Sequence, residues 1–117
     1  DDGSIHLNQQ YFKYAWGLRM IRQKKWESLF DIPLRKPESP LLPEHADLAQ
    51  AIQQVTEDVV LKMAAFAKAE TGASNLCLAG GVALNCVANG KLRKSGLFND
   101  YYVQPAAGDA GGALGAA

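Results

Sequence analysis

Between Asn75 and Gln104 the chain passes from an apolar segment through a glycine pair to a helical pattern and then to a second apolar segment. This order restricts the fold more than any other feature. Asn75-Leu-Cys-Leu-Ala79 is flanked by turn residues and is predicted to be a buried strand. Gly80-Gly81 makes the turn, and Val82 to Lys94 reads as a helix with Gly96 just past its end. Tyr101 to Gln104 is a second strand, stopped by Pro105. Strand, helix and strand within roughly 30 residues form a βαβ unit, whose two strands lie parallel because a helix, not a tight hairpin, joins them. The predicted class is α/β: a sheet with parallel strands and helices packed on it.

Glu44 to Thr71 carries the clearest helical pattern. Leu48, Ile52, Val55, Val59, Met63 and Phe66 recur at three- and four-residue spacing, a stripe expected to pack across the sheet. Pro43 suits the first helical position, Glu44 and Asp47 suit the positive end of the dipole, and Gly72 suits a left-handed cap. Before this helix the order is looser. Asp1 to Ser4 is a turn signal, Ser4 to Leu7 alternates like a short strand, Tyr11 to Trp16 is ambiguous, and Glu27 to Phe30 reads as a helical turn. Asp31 to Pro43 holds Pro33, Pro37, Pro40 and Pro43, an ordered-looking loop because proline fixes its own φ and keeps its predecessor extended. The organisation expected is a strand, turn and proline-bearing arm over residues 1–43 and an α/β half-domain over 44–117. The chain lacks an initial methionine and ends on what reads as the first turns of a helix, so both ends are expected to be cuts in a longer protein.

Twelve basic and twelve acidic residues cancel, so no net field draws the chain to nucleic acid or to a membrane. Its apolar runs fall short of the roughly 20 residues a membrane span needs. Cys77 and Cys86 form no CxxC pair and are expected to be buried free thiols. With no signal peptide opening the sequence, the expected location is the cytoplasm.

Two loops can carry chemistry. In Leu76 to Asn85 (LCLAGGVALN) the glycines let backbone approach a ligand, and the helix after them directs N–H groups at the turn, which suits phosphate. Asn85 can offer its amide to a ribose or base; equally, the segment can be a tight turn that holds nothing. Neither a dinucleotide fingerprint nor a P-loop is present: G-x-G-x-x-G is missing, and around Gly90-Lys91 the first glycine is replaced by Asn85 and the Ser/Thr by Leu92. In Gln104 to Gly115 (QPAAGDAGGALG) an acid follows a strand in a small-residue loop, where open α/β sheets bind ligands. Asp109 there is either a hard-metal ligand or the N-cap of the last helix. His6 and His45 form no paired ligand motif, and no Ser-His-Asp or Cys-His arrangement is present. Arg19, Arg22, Lys24 and Lys25 fit a solvated face better than a phosphate or RNA site, and the tryptophans and tyrosines fit a core better than a base-stacking platform.

LCLAGGVALNCVANGKLRKSGLF and VQPAAGDAGGALGAA closely resemble the O-carbamoyltransferases that modify nodulation factors and antibiotics such as cephamycin and tobramycin. DGSIHLNQQYF, GLRM and RKPESPL resemble the same family, so the likeness spans nearly the whole chain. The resemblance implies the second half of an actin/Hsp70/sugar-kinase-like nucleotide-binding domain. It implies an enzyme that uses carbamoyl phosphate and ATP to form a carbamoyl-adenylate, releasing pyrophosphate and phosphate, and passes the carbamoyl group to a small-molecule hydroxyl acceptor. A bound divalent metal, iron or another, helps hold the phosphate. By position, Gly80, Gly81, Val82 and Asn85 fall on the family's adenosine-binding turn and Asp109 on its metal-ligating aspartate.

The family's paired histidine ligands, first phosphate loop, catalytic acid and smaller C-terminal domain have no match here. No catalytic residue is therefore assigned, and the fragment alone is expected to be inactive. An unpaired sheet edge makes a homodimer possible. Two further readings fit a chain of this kind: another actin-like member, such as a tRNA threonylcarbamoyladenosine synthase or a hydrogenase-maturation carbamoyltransferase, and a non-catalytic, nucleotide-gated scaffold module. The QPAAGDAGGALGAA loop argues against the tRNA-modifying branch.

Overall fold

The computed structural model describes residues 3–117; Asp1 and Asp2, half of the expected turn signal, lie outside the described residues. The elements are α1 (Gln23–Phe30), α2 (Pro43–Thr71), β1 (Asn75–Leu78), a 3₁₀ turn (Gly81–Leu84), α3 (Cys86–Lys94), β2 (Asp100–Val103) and α4 (Gly111–Ala116). β1 and β2 pair in parallel, with Asn75 opposite Asp100 and Leu78 opposite Val103, as the βαβ order predicts. The class is α/β, on a two-stranded sheet. Two compact units divide within α2: one takes Ile52–Ala117 together with residues 3–4, the other Ile5–Ala51.

In the unit of residues 5–51, Phe12 and Ile21 form an antiparallel bridge. Trp26 stands edge-on to Tyr11 and Phe12, and its indole N–H donates to the Tyr11 carbonyl at 2.9 Å. Trp26 thus joins the aromatic core expected of it, whereas Trp16 is 70% exposed. Residues 4–7 take no regular structure; four alternating residues are too few to hold a strand without a neighbouring edge.

In the other unit, Ala64 of α2, Leu92 of α3 and Phe98 form the buried centre, with Val60, Leu61, Leu76, Leu78, Leu97 and Tyr101 packed around it. The expected stripe on α2 is not the face that packs. Ile52, Val55, Met63 and Phe66 are all exposed, while Glu57 and Ala64 are buried. Ala64 lies roughly 100° round the helix from Met63. Its small side chain lets α2 close on Leu92, where a Met or Phe would hold it off. The helix is therefore apolar on two faces, and periodicity alone chose the other one. Pro43 opens α2, and Gly72 follows its end at φ 64. Gly3 is required where it stands: at φ 78, a Cβ on it would meet the Met63 backbone nitrogen at 2.6 Å.

Burial alternates along both strands, with Leu76, Leu78, Tyr101 and Val103 turned inward. The strand expected to be buried is covered on one face only, where Leu76 and Leu78 pack against the centre formed by Ala64, Leu92 and Phe98. Cys77 points outward and is exposed, and so is Cys86 at the first position of α3, so the expected buried thiols lie on the surface.

Candidate functional site

The carboxyl ends of β1 and β2 lead into the two glycine loops. Gly80 sits at φ 95 and ψ 164, a region open in practice only to glycine. Its N–H donates to the Ala107 carbonyl at 2.8 Å. Gly108 lies against the same turn: a Cβ there would stand 3.8 Å from Leu84 Cδ1 and 4.0 Å from Gly81 Cα. Two loops read separately in the sequence thus form one edge. Beside them opens a cleft of about 460 Å³, lined by Ala79, Gln104, Ala107, Gly108, Gly111 and Leu114 among others. Gly111 is needed to shape it, because a Cβ there would meet the Ala106 carbonyl oxygen at 2.5 Å.

Gln104 lines the cleft, and its Oε1 is buried without a hydrogen-bond partner. An orphaned acceptor costs about 1–3 kcal/mol, so a donor brought by a ligand would relieve it. Sequence reasoning passed over this residue. The available signal was a polar side chain between the second strand pattern and Pro105, at the carboxyl end where open α/β sheets bind ligands.

Between Val82 and Lys94 the chain is not one helix. A 3₁₀ turn ends at Leu84, Asn85 is extended (φ −74, ψ 93), and α3 starts at Cys86. Asn85 caps α3, its Oδ1 accepting the Ala88 N–H at 3.1 Å, because asparagine favours the cap over the helix interior. One of the N–H groups expected to face an anion is therefore already satisfied. The Asn85 amide also pairs with Gln53 of α2: Gln53 Nε2 donates to Asn85 Oδ1 at 3.1 Å, and Asn85 Nδ2 donates back to Gln53 Oε1 at 2.9 Å. Gln53 Nε2 further donates to Glu57 Oε1 at 2.7 Å, and Lys91 of α3 forms an ion pair with the same carboxylate. The hydrogen bond from Lys91, then that from Gln53, hold the Glu57 carboxyl below its ordinary range against the opposing effect of desolvation.

Asp109 is exposed, one residue before the N-cap Ala110, and α4 has no side-chain cap. Its carbonyl accepts from the Gly112 N–H at 3.1 Å. Among the described residues no group of three or more His, Cys, Asp or Glu side chains could hold a metal ion. Asp109 alone does not fit a metal site; it offers one carboxylate. His45 Nδ1 accepts the Leu42 N–H at 3.0 Å, a structural use, and His6 is exposed. Arg22 donates to the Phe12 carbonyl at 3.2 Å and lies by the Trp16 ring, and Lys24 and Lys25 are exposed. Among the described residues no helix is long and apolar enough to cross a membrane.

The carbamoyltransferase N-terminus family model matches residues 1–117, and the chain belongs to that family. An uncharacterized protein of Synechocystis, sll1178, is 57% identical over 99% of this chain and 19% of its own length. Nodulation protein NolO of Bradyrhizobium diazoefficiens is 48% identical over 76% of the chain and 16% of its own length. Nodulation protein NolNO of Sinorhizobium fredii is 47% identical over 76% of the chain and 13% of its own length. The chain spans less than a fifth of each of these relatives.

Proposed function

We propose that this chain forms the nucleotide edge of an O-carbamoyltransferase with an actin-like domain. The full-length enzyme uses ATP and carbamoyl phosphate to make a carbamoyl-adenylate and transfers the carbamoyl group to a hydroxyl of a small acceptor. The observation that carries this reading is the Gly80–Ala107 hydrogen bond, which joins the two glycine loops at the carboxyl ends of parallel strands, beside a cleft lined by Ala79, the second loop and α4. Such an edge is where open α/β sheets take ligands. Family membership supplies the carbamoyl chemistry.

Gly80, Gly81 and Val82 present backbone to the nucleotide. Asn85 shapes that turn from its cap, where its side chain is engaged by Gln53 and the Ala88 N–H. Gln104 accepts a hydrogen bond from the bound molecule. Asp109 contributes a single ligand to a divalent metal whose other ligands come from the rest of the full-length protein. With one side of a cleft and one carboxylate, the chain alone turns over nothing.

The test is equilibrium binding of ATP to the full-length protein and to its Gly81→Val variant. No atom lies within 4 Å of a Cβ at Gly81, so the first carbon of the new side chain enters open space. The reading expects ATP affinity to fall about tenfold or more, a loss of roughly 1.4 kcal/mol. Unchanged affinity would remove the turn from the nucleotide site.

A further inference from the structure

Glu57 is the charged residue buried among the described residues, at 4% exposure, and it does not line the cleft. It closes a polar loop between two helices. Gln53 and Glu57 stand one helical turn apart on α2, while Asn85 and Lys91 mark the cap and the last turn of α3. From Lys91 the bonds run to Glu57, to Gln53, to Asn85 and on to the Ala88 N–H, back in α3.

Each amide in this loop can face only one way. The Glu57 carboxylate accepts, so the end of Gln53 beside it must be the NH₂ group. That group's second hydrogen requires an oxygen from Asn85, and the Ala88 N–H requires the same oxygen. Turning either amide over would set donor against donor. Stability alone is a poor reason for such an arrangement, since apolar residues of like volume often do as well as a buried ion pair. What the loop fixes is a position. Asn85 ends the 3₁₀ turn, its N–H donating to the Val82 carbonyl at 2.9 Å, and Asn89 Nδ2 donates to the Ala83 carbonyl at 2.7 Å.

We infer that Gln53 and Glu57 are positioning residues for nucleotide binding: through Asn85 they hold the Gly80–Val82 backbone at the geometry ATP requires. This rests on the nucleotide reading of the turn. Neither residue touches the ligand; both act through the cap.

The experiment uses the full-length protein and measures KM for ATP, KM for carbamoyl phosphate and kcat in wild type, Gln53→Leu and Asn85→Asp, with Gln54→Leu as a control at an exposed neighbour. Asn85→Asp keeps the capping oxygen and loses the donor to Gln53, so it separates capping from pairing and serves if Gln53→Leu fails to fold. The inference expects both variants to raise KM for ATP about tenfold with kcat and KM for carbamoyl phosphate within about twofold, and the double variant to be no worse than the more damaging single. Wild type and Gln54→Leu should match. An Asn85→Asp protein with wild-type KM for ATP would overturn the positioning role and leave the nucleotide reading intact. A wild-type protein that does not bind ATP would overturn both.

Discussion

The Gly80 N–H donates to the Ala107 carbonyl at 2.8 Å, and this bond makes one edge of two loops far apart in sequence. Gly80 can reach Ala107 because its φ of 95 and ψ of 164 turn the chain off the end of β1. An L-residue there is strained whatever space surrounds it.

Gly80→Ala should therefore destabilise the full-length protein by about 1–3 kcal/mol in denaturant unfolding. Gly81→Ala, free of positive φ and of close neighbours, should leave stability within about 1 kcal/mol and weaken only ATP binding. Equal destabilisation by the two changes would contradict the assigned backbone geometry.

The small residues around Asp109 are not equivalent. Gly111→Ala drives a Cβ to 2.5 Å from the Ala106 carbonyl and should cost about 1–3 kcal/mol as the loop gives way. Gly112→Ala and Gly115→Ala meet nothing within 4 Å and lie in α4, so each should be neutral or stabilising by up to about 1 kcal/mol. Thermal melts of the three variants side by side would decide the matter.

Leu92 is fully buried between α2 and the sheet, and Leu92→Ala should cost about 2–5 kcal/mol. Tyr101→Phe removes a hydroxyl that donates to the Leu92 carbonyl at 3.0 Å and accepts the Phe98 N–H at 3.1 Å; its expected cost is about 1–3 kcal/mol, because the Phe98 donor is left half-buried. Urea titration measures both, and a loss for Leu92→Ala well below about 2 kcal/mol would misplace the core.

The polar loop between α2 and α3 has a pH signature. The Glu57 carboxyl is held below its ordinary value of 4.5, first by Lys91 and then by Gln53. A depressed carboxyl contributes its full stability above the unfolded value and loses it as pH falls through the folded value. The melting-temperature gap between wild type and Glu57→Gln should thus be flat from neutral pH down to about 4.5 and close below it. A gap that persists in acid would mean that the loss in the variant is one of packing rather than charge.

Much of the frame was legible in the sequence. Pro43 and Gly72 bracket α2 because fixed φ suits a helix start and left-handed φ suits its end. The βαβ order gave the parallel pairing. What could not be read depends on distant partners. Both faces of α2 carry apolar residues, and only the arrival of Leu92 and Leu76 selects the one containing Ala64. Gln53 and Glu57 look like a solvated polar pair until Asn85, 32 positions on, meets them. The break at Asn85 was hidden for a related reason: a cap in the middle of a helical pattern leaves the periodicity on either side intact. The two glycine loops were found as separate motifs, while their joining and the orphaned oxygen of Gln104 exist only in three dimensions.

The most direct test of the central claim is pyrophosphate release from ATP by the full-length protein, with and without carbamoyl phosphate, beside Asp109→Ala and Gly81→Val. The account expects release in the wild type that depends on carbamoyl phosphate and falls at least about tenfold in each variant while both stay folded. A wild type that releases pyrophosphate from ATP at the same rate as both variants would contradict the assignment of this edge to the nucleotide.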